Sequence, residues 1–182
     1  MSEELLIRHC SPTLAGIKTG NMFNCSFDSK DEMRVALRYF NKKLSKKGIR
    51  LLPLRYAEGK ALIYVYRPAH LLRDFKDGIA VRILRERGYF AETPERCIMH
   101  LVKRLGECDE FPHEIGLFLG YPPNDVRGFI ENKDDCKLVG AWKVYSDEDA
   151  ARKTFEKYNK CTAAYCKHYA SGSSIERLTV AV

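Results

Sequence analysis

The segment at residues 61–66 reads Ala-Leu-Ile-Tyr-Val-Tyr and is apolar at every position. A strand that turns apolar side chains to both of its faces must be covered on both, so this segment predicts the central strand of a sheet. Residues 57–60, Ala-Glu-Gly-Lys, indicate a hairpin turn to a preceding strand at 49–56. Because Pro53 has no amide hydrogen to donate, that preceding strand is expected at an edge of the sheet.

Helical patterns lie on both sides of this hairpin. Ser29 and Glu32 form a capping box, and the apolar spacing behind it predicts a helix over residues 30–47. Cap and proline signals predict further helices that begin near Pro68, Asp77, Thr93 and Asp147.

Three more segments are predicted as strands, at residues 21–27, 137–145 and 175–182. The sequence therefore predicts an α+β fold with a mixed or antiparallel sheet of about four or five strands. Helices are expected to pack on this sheet, with a helical subregion at roughly 68–132. At this length we expect one globular domain over residues 1–182.

The composition excludes several classes of protein. A hydrophobic content of 45% is too high for a disordered chain, and no apolar run is long enough to cross a membrane. The first residues, Met-Ser-Glu-Glu, are acidic and lack the apolar core of a signal peptide, so we expect a cytoplasmic protein. In that compartment the seven cysteines are expected to stay reduced.

Three stretches of the sequence carry a resemblance to a family. They are residues 9–18 (HCSPTLAGIK), residues 113–130 (HEIGLFLGYPPNDVRGFI) and residues 140–145 (GAWKVY). They resemble the uncharacterised family known as domain of unknown function 3793, found mostly in anaerobic bacteria, and the resemblance covers nearly the whole chain. It implies no activity or cofactor, but it directs attention to these stretches as the place for a site.

One hypothesis for such a site is a cysteine nucleophile. Pro12 favours the first turn of a helix just after Cys10, and a helix N-terminus lowers the pKa of a thiol. His113 then follows as a base, with Asn124 or Asp125 to orient it, in the chain order of papain-like enzymes. The match is one of order alone, and a buried structural cysteine is the competing interpretation.

A second hypothesis is a small-molecule pocket near Cys10 and His113. Gly120 permits close approach of the backbone, Lys18 offers a cation to an anionic ligand, and Tyr121 offers a wall. The glycines form neither a phosphate loop nor a dinucleotide fingerprint, and the cysteine spacings match no metal site. We therefore predict a small-molecule-binding protein or a thiol-dependent enzyme with a site near Cys10 and His113. The sequence predicts no metal-ligating residues and does not indicate the cofactor, the reaction or the oligomeric state.

The alternative is a binding module that uses a basic helix face. Basic side chains recur at four-residue spacing along the helix predicted at 30–47 and continue into the next strand, at Arg34, Arg38, Lys42, Lys46 and Arg50. Such a stripe attracts the phosphates of nucleic acid or an acidic protein, although a solvated basic face is more common.

Residues 115–130 also match the helix-turn-helix pattern, with Gly116 as the small contact and Gly120 in the turn. Residues 107–135 hold eight acidic residues against two basic ones, so phosphate contact there is unfavourable. We therefore predict that this segment is a packing unit and not a reader of DNA.

Overall fold

The structure is a computed structural model that describes residues 1–90, 93–107 and 111–181. It contains two compact units, unit 1 at Met1–Ala69 with Tyr158–Val182, and unit 2 at His70–Lys157. Helices and antiparallel strands are both present, which confirms the α+β class. The single domain over 1–182 stays a prediction, and each unit is described by itself.

Unit 1 is built around a three-stranded antiparallel sheet. Its strands are β1 (Gly20–Ser26), β2 (Arg50–Ala57) and β3 (Lys60–Tyr66), in the order β1-β3-β2. The apolar strand β3 is central and β2 with its Pro53 lies at an edge, as the sequence predicts. Alternate side chains of β3 are buried on both faces, with Ile63 on one face and Tyr64 on the other fully inaccessible to solvent.

The helices of unit 1 cover one face of this sheet. They are α1 (Glu3–Leu14), α2 (Lys30–Leu44), residues 158–170 of α8 (Glu148–Ala170) and the single turn α9 (Ile175–Leu178). As predicted, the Ser29 side chain caps α2, and a 3-10 turn at Ser45–Lys47 extends the helix to the Gly48 stop. Apolar side chains of α1 and α2 at helical spacing meet β1 and β3 in one core.

A fully buried arginine donates hydrogen bonds to the backbone at the ends of several elements in unit 1. Arg67, 1% exposed, directly follows β3 and donates from Nε to the Thr13 carbonyl and from Nη2 to the Leu14 carbonyl, both at 2.7 Å. It also donates to the carbonyls of Lys47 at 3.0 Å and Val180 at 2.8 Å. Because the last turn of α1 has no basic residue of its own, Arg67 supplies both the donors and the positive charge that this helix end favours.

The predicted strand at 175–182 is wrong. Ile175 begins a helical turn instead, because the Ser174 side chain accepts a hydrogen bond from the Arg177 amide and starts a helix there. Beyond this turn the Val180 amide donates to the carbonyl of Leu14, the last residue of α1, at 3.0 Å.

Unit 2 is mainly helical. Most of α3 (Pro68–Asp74), α4 (Gly78–Glu86) and α5 (Pro94–Glu107) form its first part, and α6 (Ile115–Phe118) and α7 (Pro123–Glu131) form a helix-turn-helix. The predicted helical subregion is confirmed. A Cβ atom on Gly116 would lie 2.8 Å from the Val126 side chain, so the small contact predicted between the two helices is also confirmed.

The prediction of one strand over residues 137–145 is wrong in detail, because these residues form a small hairpin of two strands. Strands β4 (Leu138–Val139) and β5 (Lys143–Val144) pair antiparallel, and the Gly140 amide donates to the Trp142 carbonyl in the reversal. Gly140 cannot carry a side chain there, because a Cβ atom would lie 2.2 Å from the Phe155 ring. The described residues thus hold five strands in two sheets, where the sequence predicts four or five in one.

Among the described residues, no helix is long and apolar enough to cross a membrane.

Candidate functional site

Cys10 does not lie at a helix N-terminus. Helix α1 begins seven residues earlier, at Glu3, where the Ser2 side chain accepts a hydrogen bond from the Leu5 amide. Pro12 lies near the end of this helix and not in its first turn, so the expectation built on it is wrong. The Cys10 side chain is fully buried in the core of unit 1.

Burial raises the pKa of the Cys10 thiol well above its ordinary value, against a smaller lowering by the nearby Lys18 ammonium. Burial likewise lowers the pKa of Lys18 to about 8, and Cys10 raises it in return. Cys10 and Lys18 are therefore close enough for their charges to interact. However, a thiol held in its protonated form without exposed surface lacks the properties of a nucleophile.

This burial predicts the reactivity of Cys10. In native protein treated with iodoacetamide near pH 7.5, we expect the half-buried Cys136 and Cys166 to be alkylated long before Cys10. In urea-unfolded protein the three thiols are expected to react at similar rates. Peptide mass spectrometry over a time course measures this, and fast native labelling of Cys10 would restore the nucleophile hypothesis.

His113 and Asp125 belong to unit 2, whereas Cys10 and Lys18 belong to unit 1. Within unit 2, His113, Asp125 and Tyr121 line one cavity of about 370 Å³. This volume lies in the range of small-molecule sites, roughly 300–1,000 Å³. We define the cavity as the aromatic pocket, and its walls are Phe111, His113, Ile115, Gly116, Tyr121, Asp125, Val126, Phe129, Trp142 and Lys143.

The turn between α6 and α7 positions one wall of the aromatic pocket. Gly120 adopts φ 75°, the Gly120 amide donates to the Leu117 carbonyl and the Tyr121 amide donates to the Gly116 carbonyl. These two bonds form a Schellman motif, which needs a left-handed residue such as glycine at position 120. Tyr121 then packs over Gly116, where a Cβ atom would lie 3.1 Å from its ring. Gly120 itself does not line the pocket, so its effect on the site is through Tyr121.

Asp125 fixes the position of a second wall of the aromatic pocket, the Trp142 indole. Its Oδ2 accepts a hydrogen bond from Trp142 Nε1 at 2.7 Å, and its Oδ1 accepts from the amides of Tyr145 and Ser146 and from the Ser146 hydroxyl. Burial alone raises the pKa of Asp125, but these bonds together outweigh it and lower the pKa below its ordinary value. The carboxylate is thus occupied inside the protein, and it fixes the indole ring that forms the pocket wall.

Five of the ten residues that line the pocket carry an aromatic ring. The Tyr121 and Trp142 rings stack with centroids 5.0 Å apart, and His113 meets Phe129 edge to face at 5.0 Å. The Lys143 ammonium lies 5.8 Å from the centroid of Phe129 and is the only cation among the lining residues. Burial raises the pKa of Tyr121, so its hydroxyl stays protonated at neutral pH.

Sequence reasoning missed several pocket residues, namely Phe111, Val126, Phe129, Trp142 and Lys143, as parts of a site. Trp142 and Lys143 lie in the third family-like stretch, which was the signal available for them. Val126 and Phe129 lie in the second stretch, where the helix-turn-helix pattern assigned them to packing.

The basic residues of the alternative hypothesis lie in unit 1. Arg34, Arg38 and Lys42 on α2, Lys46 in the 3-10 turn and Arg50 at the start of β2 are all exposed.

The sequence matches the family described as protein of unknown function (DUF3793) over residues 6–179. The chain belongs to this family. Neither a curated protein nor a solved structure matches it. All three stretches that carry the family resemblance fall within the matched range, and two of them, at 113–130 and 140–145, supply nearly all the walls of the aromatic pocket.

Within residues 1–90, 93–107 and 111–181, no three His, Cys, Asp or Glu side chains are grouped closely enough to hold a metal ion together.

Proposed function

We propose that this family member binds a small, planar and largely apolar molecule in the aromatic pocket of unit 2. The observation that carries the proposal is the convergence of five aromatic rings, at positions 111, 113, 121, 129 and 142, on one cavity of about 370 Å³. Aromatic walls with a few polar groups are typical of small-molecule sites. His113 serves as a polar contact, Tyr121 as a wall and Lys143 as the cation at the edge of the pocket.

The walls of the pocket are held in place by the protein itself. The Schellman turn fixes Tyr121, and the Asp125 carboxylate fixes Trp142. A preformed pocket avoids the entropy loss of ordering side chains on binding, which favours affinity for a rigid planar ligand.

The predicted thiol-dependent reaction draws less support than binding does. Cys10 is fully buried in unit 1, and both oxygens of Asp125 accept hydrogen bonds from Trp142, Tyr145 and Ser146. Asp125 therefore acts as a support for the pocket wall and is not available to orient His113 as a base. The proposal is accordingly one of binding, in the cytoplasm that the sequence predicts.

Binding of N-phenyl-1-naphthylamine, a neutral fused-ring probe, tests the proposal. Trp142 is the sole tryptophan of the chain and lines the pocket, so its fluorescence reports directly on this site. We expect saturable quenching of Trp142 with energy transfer to the probe. The Phe111→Ala variant, which removes a wall residue that is 43% exposed, is expected to weaken binding about tenfold through lost apolar contact.

Phe90→Ala is the matched control. Phe90 also belongs to unit 2 and is 64% exposed, but it does not line the pocket, so its variant should bind the probe as the wild type does. The absence of saturable quenching, or equal weakening by the two variants, would contradict a ligand site at the aromatic pocket.

A further inference from the structure

The positive charge of the chain is concentrated in unit 1. Unit 1 holds sixteen Lys and Arg against seven Asp and Glu, whereas unit 2 holds fifteen against seventeen. The whole positive excess of the protein therefore belongs to the unit that does not contain the aromatic pocket. Half of these sixteen basic residues fall within residues 33–57, a segment without a single acidic residue.

Helix α2 buries one apolar face and exposes basic side chains. Its apolar face, Met33, Leu37, Phe40 and Leu44, is buried, whereas Arg34, Arg38 and Lys42 are exposed. At four residues per step, neighbouring basic residues are about 6 Å apart along the helix axis. This spacing is below the Debye length of about 8 Å at physiological ionic strength, so their potentials add.

The edge strand β2 extends this positive surface. The Asn41 side chain donates to the Leu51 carbonyl at 2.8 Å and accepts from the Leu51 amide at 2.9 Å. This paired contact fixes β2 beside α2 and places Arg50, the neighbour of Leu51, next to the helix. We define the basic surface as Arg34, Arg38, Lys42, Lys46 and Arg50.

Acidic side chains among the described residues neutralise little of this charge. Arg34 pairs with Asp31 at 3.4 Å, and both side chains of that pair are largely exposed. The other four cations of the basic surface have no acidic partner among the described residues. Like charges four residues apart destabilise a helix, so the fold retains an unfavourable arrangement that an external polyanion would relieve.

An exposed aromatic ring accompanies the basic surface. Tyr39 lies on α2, is 50% exposed, and has the Lys43 ammonium 4.7 Å from its ring centroid. A positive stripe with an accessible tyrosine is the combination by which proteins hold single-stranded nucleic acid, with phosphates on the cations and a base on the ring.

We propose that the basic surface of unit 1 binds the phosphate backbone of single-stranded nucleic acid, with Tyr39 as a stacking platform. The site is separate from the aromatic pocket and does not depend on the function proposed for it. Recognition is through phosphate charge and a ring face, so no sequence preference and similar affinity for DNA and RNA are expected.

Fluorescence anisotropy with labelled dT20 and U20 oligonucleotides between about 20 and 200 mM salt tests this inference. If about four phosphates are contacted, log affinity should fall against log salt with a slope of about −3. The Arg38→Gln/Lys42→Gln variant should lose about half of this slope and at least tenfold in affinity at low salt. Tyr39→Leu should weaken binding severalfold and leave the slope unchanged.

A control variant with the same change in net charge distinguishes binding at the basic surface from general electrostatic attraction of nucleic acid to the protein. Lys153 and Lys157 are exposed at the same spacing on α8, so Lys153→Gln/Lys157→Gln changes the net charge equally. This control is expected to bind as the wild type does. The inference is overturned if no binding is seen at low salt or if both double variants weaken binding equally. It is also overturned if poly-glutamate competes as well as dT20, because the basic surface would then fit an acidic protein. Tighter binding of duplex than of single-stranded DNA, with no effect of Tyr39→Leu, would overturn the stacking role.

Discussion

Replacing Arg67 with methionine is expected to lower the free energy of unfolding by about 3 to 5 kcal/mol, because several carbonyl oxygens lose a charged donor and each unsatisfied buried acceptor costs roughly 1 to 3 kcal/mol. Methionine has a similar length but cannot donate to the carbonyls of Thr13, Leu14, Lys47 and Val180. The C-terminal end of α1 also loses the cation that donates hydrogen bonds to its last carbonyls. The midpoint of urea unfolding at unchanged slope measures the loss.

Two further variants make this prediction specific. Arg67→Lys keeps the charge but loses the planar fork of donors, so an intermediate loss is expected. Arg55→Met, at an exposed arginine on β2 of the same unit, should remain within about 0.5 kcal/mol of the wild type. A loss below about 1 kcal/mol for Arg67→Met would show that the buried arginine does not hold these elements together.

Local patterns were sufficient to predict much of unit 1. The capping box at Ser29 and the 3.6-residue apolar spacing of α2 are properties of neighbouring residues, and so is the turn between β2 and β3. The apolar run of β3 predicted its central position, because a strand buried on both faces has no polar side to expose.

The errors came from signals that favour more than one structure. Pro12 favours a first helical turn just after Cys10, whereas Ser2 with Leu6, Ile7 and Cys10 at helical spacing indicates a helix that begins earlier. Residues 137–145 are rich in strand formers, but the chain reverses at Gly140, where a side chain would collide with the Phe155 ring of α8, 15 residues further along the chain. Contacts of this kind are long-range and leave no local pattern.

The candidate site was predicted in part for the same reason. His113, Tyr121 and Asp125 come from one short segment, and their grouping follows from the helix-turn-helix. Trp142 joins them through contacts between residues far apart in the chain, a hydrogen bond from its indole to Asp125 17 residues away and stacking on the Tyr121 ring. The hypothesis that Cys10 and His113 form one site rests on their order in the chain alone, and the two residues belong to different units.

Replacing Asp125 with asparagine is expected to destabilise the protein by about 3 kcal/mol and to loosen the pocket wall. The amide nitrogen of asparagine cannot accept the Trp142 Nε1 hydrogen, so two donors would face each other if Oδ1 kept its bonds to Tyr145 and Ser146. Urea unfolding measures the loss, and Trp142 fluorescence should shift towards that of a more mobile indole.

A double-mutant cycle isolates the bond to Trp142. In a Trp142→Phe background the indole donor is absent, so Asp125→Asn should cost about 1 kcal/mol less than it does in the wild type, with unfolding followed by circular dichroism in all four proteins. Asp134→Asn, at a fully exposed carboxylate of the same unit, is the control and should be close to neutral. Strict additivity in the cycle would contradict the bond as the support of the indole.

The pH dependence of this difference follows from the direction of the pKa shift. Hydrogen bonds lower the pKa of Asp125 in the folded state below its unfolded value of about 3.9, despite the opposing effect of burial. The contribution of the carboxylate is therefore complete above that unfolded value and is lost as the pH falls through the folded pKa. The gap in unfolding free energy between wild type and Asp125→Asn should be constant from about pH 8 to about pH 5 and narrow below about pH 4. A gap that widens on acidification would mean that folding raises the pKa of this carboxyl, and that its hydrogen bonds do not stabilise the ionised form.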